Sequence, residues 1–269
     1  MAQHFLETAI GHNLGELGFD LNRFPLTKVE YPLISCIVYL ITVIYFTPKQ
    51  KATPKGKSAE EKPLFTFQNL VVFAHNLALC IFSVRCFISS ASIFFRTLHE
   101  GGWDALLCEN RLLHNDTWWF WVYMFYLSKY YEFVDTYILI WKERNPSFLQ
   151  KFHHIGAVIG MWIIVATKSR TGYVFIVPNS FVHSVMYFYY ALSVWKIKVP
   201  FKYMLTRLQM VQFCIGALLG AVELYYWECG TFGDHLSLCW NTAYVPSLLL
   251  LFALFYRKTY AKDKKPKTQ

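Results

Sequence analysis

Leu149-Gln150-Lys151-Phe152-His153-His154-Ile155-Gly156-Ala157-Val158-Ile159-Gly160-Met161-Trp162-Ile163-Ile164-Val165-Ala166-Thr167 places two adjacent imidazoles near the start of an apolar run. The run approaches the roughly 20 residues that cross a bilayer as a helix. Polar groups inside such a segment are expensive and are normally kept for function. A third histidine, His183, lies thirty positions beyond His153 in another apolar stretch, 171–195. Imidazole titrates near neutrality and can act as nucleophile, base or metal ligand.

Working outward, the same apolar character recurs at 31–48, 65–95, 118–141, 203–227 and 237–258. With the two segments already named, this reads as an all-α polytopic membrane protein of seven transmembrane helices, one domain over 1–269. A lumenal segment 1–30 precedes the bundle 31–258, and a basic tail 259–269 follows it. The composition agrees: 55% hydrophobic, 19% aromatic and only 16% charged is too apolar for an ordinary soluble domain. No internal repeat is visible, and 1–30 lacks the basic and apolar regions of a cleaved signal peptide.

The formal charge of +9 is distributed unevenly. The segments 48–64, 142–152, 196–202 and 257–269 hold 17 of the 26 Lys and Arg residues, while the alternate segments hold 6. By the positive-inside rule the C-terminus is cytosolic and the N-terminus lies across the membrane. The charge therefore marks topology and attraction for anionic lipid or ligands, and nucleic acid is not an expected partner. Lys265 and Lys267, fifth and third from the end of the chain, resemble a dilysine retrieval signal of endoplasmic reticulum membrane proteins.

Of seven cysteines, Cys36, Cys80, Cys86 and Cys214 fall in spans as core thiols. Cys108, Cys229 and Cys239 fall at lumenal loops, in an oxidising compartment. The expected bridge is Cys108–Cys229; the alternative leaves three free thiols.

Polar residues form faces on the spans. Lys129, Glu132 and Asp135/Thr136 recur at i, i+3 and i+6/7 on one helix face. Unpaired, each charge would cost about 2.5–3.5 kcal/mol at mid-bilayer, so they must face protein or a wet cavity. Lys129 and Glu132 can pair. Gln150 shares a face with His153 or His154, and the two adjacent histidines diverge by about 100°, so one faces a cavity and the other a neighbouring helix. Asn179, His183, Met186/Tyr187 and Tyr190 form a polar-aromatic stripe, and Thr206, Gln209 and Gln212 a third face. Amides of this kind also glue helices together. Glu223 falls toward the lumenal end, within reach of water.

A di-iron desaturase also uses histidine boxes, but the nine histidines do not assemble one. His4, His12, His99, His114 and His235 lie on the lumenal side, His75 stands alone in its span, and Gln150 is a poor ligand. No metal or cofactor is expected. A seven-helix transporter or receptor would explain the spans but commonly carries repeats or broken helices. Acyl transfer suits the imidazoles, with amides and tyrosines for a developing oxyanion. Basic residues at the cytosolic mouth (Lys142, Arg144, Lys151, Lys202 and Arg257) suit the phosphates of CoA.

Lys129-x-x-Glu132-x-x-Asp135-Thr136, His153-His154, Asn179-x-x-x-His183-x-x-Met186-Tyr187-x-Tyr189-Tyr190 and Thr206-x-x-Gln209-x-x-Gln212 resemble, in order and spacing, the very-long-chain fatty acid elongase family. The resemblance runs from about 31 to 260. It implies seven helices in the endoplasmic reticulum membrane and a 3-ketoacyl-CoA synthase condensing malonyl-CoA with acyl-CoA, releasing carbon dioxide and CoA. Where the family box reads His-x-x-His-His, this chain has Gln150, a form similar to that of some algal and protist elongases acting on polyunsaturated acyl-CoA. Saturated or monounsaturated acyl-CoA is the alternative substrate.

The resulting expectation makes His153 the acyl-accepting nucleophile, His183 the second imidazole and His154 an orienting or proton-relaying group. A ternary mechanism without acyl-enzyme remains open. Asn179, Tyr187, Tyr190, Gln209, Gln212 and Gln150 support the intermediates, and Lys129, Glu132 and Asp135 set charge and helix geometry. An apolar tunnel measures the acyl chain. Expected partners are acyl-CoA, malonyl-CoA, membrane lipid and the ketoacyl reductase, dehydratase and enoyl reductase of an elongation cycle; a homodimer is left open.

Overall fold

Side-chain caps start helices just ahead of the apolar runs. Thr66 accepts from the backbone N–H of Asn69, Asn115 from Trp118 and Ser147 from Gln150. Each cap satisfies a first-turn N–H that would otherwise lack a partner. The computed structural model describes residues 25–47, 63, 65–197 and 202–260. Among them every regular element is helical: α1 (Glu30–Phe46), α2 (Phe67–Leu107), α3 (Asp116–Tyr131), α4 (Phe133–Trp141), α5 (Phe148–Thr167), α6 (Gly172–Val194), α7 (Lys202–Tyr225) and α8 (Phe232–Tyr260). Short 3-10 turns follow α2 and α7. The retrieval pair Lys265 and Lys267, and His4 and His12, lie outside the described residues.

Two expected segments differ. The second does not stop at 95: its helix continues to Leu107 and kinks at Gly102, whose φ of 64° suits a residue without Cβ. The third, 118–141, is two helices rather than one. At Glu132 ψ is −14°, and the N–H of Asp135 donates to the Glu132 carbonyl at 3.1 Å, an i→i+3 bond. That tightened turn rotates the residues after Glu132 away from the line through Lys129.

The helices close a ring. α2 packs along α6, α6 on α7, α7 on α8, α8 on α5, α5 on α3, and α3 back on α2, while α1 lies outside against α4 and α5. Aromatic side chains fill the joints: Phe94 stacks on Tyr173 between α2 and α6, and Tyr39 on Phe133 between α1 and α4. Leu33, Ile34, Ile37, Ile41 and Ile44 of α1 are all at least half exposed. An apolar face of this extent requires lipid or a partner to cover it. α2, α5, α7 and α8 are each long and apolar enough to cross a membrane, and the chain is a membrane protein. α6 interrupts its apolar run with Asn179, Ser180, His183 and Ser184, all but Ser184 buried in the bundle.

Candidate active site

The site is built on the break between α3 and α4. Lys129 and Glu132 are each only 3% exposed, and the Lys129 ammonium donates to Glu132 Oε1 at 2.8 Å and to Asn179 Oδ1 of α6 at 2.9 Å. It also sits 3.9 Å over the Phe125 ring. A buried ammonium is tolerable only when its donors are engaged in this way. His183 Nδ1 lies 3.5 Å from the same Glu132 oxygen.

His153 stands opposite, on α5. Its ring is 6.4 Å from that of His183, centroid to centroid. Tyr244 of α8 lies 3.3 Å from His153 Nδ1 and donates its hydroxyl to the His153 carbonyl at 2.8 Å. Tyr244 comes so close because Gly156 lies beneath its ring: a Cβ there would overlap the ring carbons. One turn on, Gly160 receives Trp240 in the same manner, with 2.8 Å between Trp240 Nε1 and the place of a Cβ. Gly156-x-x-x-Gly160 is thus the groove into which α8 packs. Sequence reasoning missed Tyr244; this small-residue spacing was the available signal.

Phe125, Lys129, His153, Asn179, Gln212 and Tyr244 line one narrow cavity, with an interior volume of about 40 Å³. Its remaining wall is mostly apolar, including Met161, Val174, Phe175, Phe213 and Leu248. Polar groups cluster around His153, and the apolar surface extends from there between α5, α6, α7 and α8.

The other expected residues separate into distinct positions. His154 turns away from the cavity, its ring edge-on to Tyr39 and Phe133. Gln150 donates to Thr136 Oγ1 at 3.2 Å, and Thr136 bonds Tyr39, so this amide links α5 to α4 and α1. Asp135 does not join Lys129 and Glu132. It pairs with His75 Nε2 at 2.7 Å and accepts from the Tyr187 hydroxyl at 2.7 Å. His75 is therefore not alone in its helix. Its neighbours reach it across the α2–α4 contact, and a single-helix reading has no signal for that. Tyr187 packs edge-on against His183. Gln209 donates to the Met186 sulfur at 3.5 Å. Tyr190 is 39% exposed, packs against Tyr187 and does not line the cavity. Lys142, Arg144, Lys151, Lys202 and Arg257 lie at the ends of α4, α5, α7 and α8, and the Tyr260 hydroxyl bonds the Lys202 carbonyl at the closing edge.

Glu132, His153 and His183 each bring one donor atom within 4.8 Å of the others, a spacing that can hold a cation. Lys129 already places its charge 2.8 Å from the same carboxylate oxygen. A metal ion there would have to displace that ammonium against its own charge, so the donor set suits a metal poorly.

At the opposite end, Arg170 is 1% exposed. Its guanidinium binds Glu223 and the carbonyls of Leu107, Tyr226 and Cys229, while its N–H donates to Asp234. A disulfide joins Cys108 to Cys229, with Cα atoms 4.9 Å apart. Glu223, expected near water, is 2% exposed because Arg170 folds inward over it. Cys36, Cys80 and Cys86 are buried, whereas Cys214 faces outward, as does Cys239.

Comparison with known proteins adds a family. The model described as "ELO: GNS1/SUR4 family" matches residues 24–268. "Very long chain fatty acid elongase 3" of Homo sapiens is 30% identical over 273 residues, covering 97% of each chain. "Fatty acid elongase sre1" of Dictyostelium discoideum is 28% identical over 90% of this chain and 87% of its own. "Fatty acid elongase 2" of Trypanosoma brucei brucei is 29% identical over 92% and 94%.

Proposed function

The chain belongs to the GNS1/SUR4 (ELO) family, and on that premise we propose that it is a 3-ketoacyl-CoA synthase, condensing malonyl-CoA with a long-chain acyl-CoA in the first step of fatty acid elongation. One observation carries the reading: His153 lines the polar end of a cavity whose remaining wall is mostly apolar, and the His183 ring lies 6.4 Å from its own. In this reading the thioester carbonyl is bound beside His153 and His183, and the acyl chain opens the apolar part of the cavity as it enters.

Tyr244 engages His153 Nδ1, leaving Nε2 to attack the acyl-CoA carbonyl. The carbon–sulfur bond breaks, the thiolate takes the imidazole proton, and CoA departs from an acyl-imidazole. Malonyl-CoA then enters. Loss of carbon dioxide leaves its bonding electrons as an enolate, which attacks the acyl carbon. The imidazole leaves and regains a proton that originates in solvent. His183 stands at the malonyl carboxylate or reacting carbonyl, oriented by Glu132. Lys129, Asn179 and Gln212 supply charge and donors for the developing oxyanion. His154 and Gln150 position α5, and Asp135 holds Tyr187. Lys142, Arg144, Lys151, Lys202 and Arg257 bind CoA phosphates at the open end. The reaction needs no metal or cofactor.

The same proposal extends to a single domain of seven spans in the endoplasmic reticulum membrane, N-terminus lumenal and C-terminus cytosolic. It extends also to polyunsaturated acyl-CoA as substrate, and to the reductases and dehydratase that complete the cycle as partners. Incubation of purified protein with labelled malonyl-CoA and a panel of acyl-CoAs should yield a product two carbons longer at the ketoacyl stage; no product from any chain refutes the function. With acyl-CoA alone, intact mass should show one acyl group, localised to His153. Turnover without that adduct would replace the covalent route by a ternary complex in which both histidines act as acid and base.

A further inference from the structure

Asn241 lies on α8 three residues before Tyr244, about 4.5 Å of helix rise away, and lines the same cavity as His153. It is 6% exposed, and its Oδ1 has no hydrogen-bond partner among the described residues. Its Nδ2 sits 3.8 Å from the place of a Cβ on Gly220 of α7. One turn away along α7, a Cβ on Gly216, which also lines the cavity, would meet nothing within 4 Å. Around this open space the wall is Met161, Phe213, Val245 and Leu248. A lone buried acceptor in an apolar channel is a cost that folding alone does not remove. Isosteric leucine would avoid it.

We infer that Asn241 is a specificity-determining residue that reads the acyl chain several carbons from the reacting carbonyl. It favours chains that carry a polarised hydrogen at that depth over chains of methylene alone. This rests on the elongase reading of the cavity. Two sources supply the chemistry. A cis double bond offers vinylic and allylic C–H groups to the carbonyl and a π face to the amide N–H. A chain hydroxyl offers a full hydrogen bond. A saturated chain leaves Oδ1 unpaired.

The test is competition between acyl-CoAs of equal length, saturated, cis-polyunsaturated and mid-chain hydroxylated, measured as product ratios in wild type, Asn241→Leu and Asn241→Ala. Wild type should prefer at least one polar class over the saturated chain, and the class preferred identifies the source. In Asn241→Leu the unsaturated-to-saturated ratio should fall about two- to five-fold, the weight of one weak contact. The hydroxyl-to-saturated ratio should fall about five-fold or more, the weight of a hydrogen bond. Asn241→Ala, which only removes volume, serves should the leucine variant not fold. Product in wild type without preference, or unchanged ratios in the variants, overturns this inference and leaves the condensing activity standing. Absence of product from every chain in wild type overturns both.

Discussion

Two buried polar centres sit at opposite ends of the ring, and they differ in what their valences are for. Around Arg170 almost every donor is spent inside the protein: Glu223 and three backbone carbonyls surround the guanidinium, the backbone N–H donates to Asp234, and the Cys108–Cys229 bridge ties the segments that supply two of those carbonyls. Around His153 the valences are left over. His153 has one nitrogen facing Tyr244, His183 has one near Glu132, and Asn241 has an acceptor with no partner among the described residues. The first centre seals and holds the helices; the second is arranged for something that enters.

That contrast can be broken experimentally. The largest effect should come from His153→Ala, which removes the acyl acceptor. Product formation should drop by at least about 10³-fold, in line with loss of a nucleophile or general base, while the yield of solubilised protein stays near wild type. Retained turnover would move the chemistry elsewhere. Arg170→Met should do the reverse. It strands Glu223 without its cation, costing about 3–5 kcal/mol, seen as a large fall in melting temperature in detergent, whereas turnover per folded molecule changes little. If Arg170→Met abolished turnover in fully folded protein, the two centres would not be separate in function.

Cys108→Ser sharpens the same point at smaller scale. Loss of the cross-link should lower stability by about 2–4 kcal/mol, read by thermal unfolding with and without reductant, and leave the product spectrum unchanged. Gly156→Ala drives a methyl into the Tyr244 ring and should lower kcat by about ten-fold, as a small displacement of a positioning group does. Tyr244→Phe should reproduce only the part due to the hydroxyl. Gln150→Ala should have the smallest effect, a few-fold at most, since removing a neutral hydrogen bond costs about 1 kcal/mol.

Much of this was legible along the chain. The apolar segments located the long helices among the described residues, though not the break after Tyr131 or the extension to Leu107, because burial in lipid demands a run of length and composition that little else produces. Spacing within one helix correctly paired Lys129 with Glu132, since neighbours at i+3 meet whatever surrounds them. The same rule failed for Asp135, because a tightened turn at Glu132 changes the phase of the helix, and nothing in Tyr130-Tyr131-Glu132-Phe133 announces it. His75, Tyr244, Arg170 and Asn241 were passed over for a related reason. Each acquires its partners, or its lack of one, from another helix.

Composition and periodicity by themselves therefore determined the apolar helices and the Lys129–Glu132 pairing, since these depend on residues adjacent in the chain or one turn apart. Only the tertiary structure decided which faces meet: that the rings of His153 and His183 come within 6.4 Å of each other, that His154 turns away from the cavity His153 lines, that Tyr244 reaches His153 over a bare glycine, and that one end is sealed by Arg170. Contacts between helices are set by how side chains interlock at close range, and no one-dimensional spacing encodes that fit.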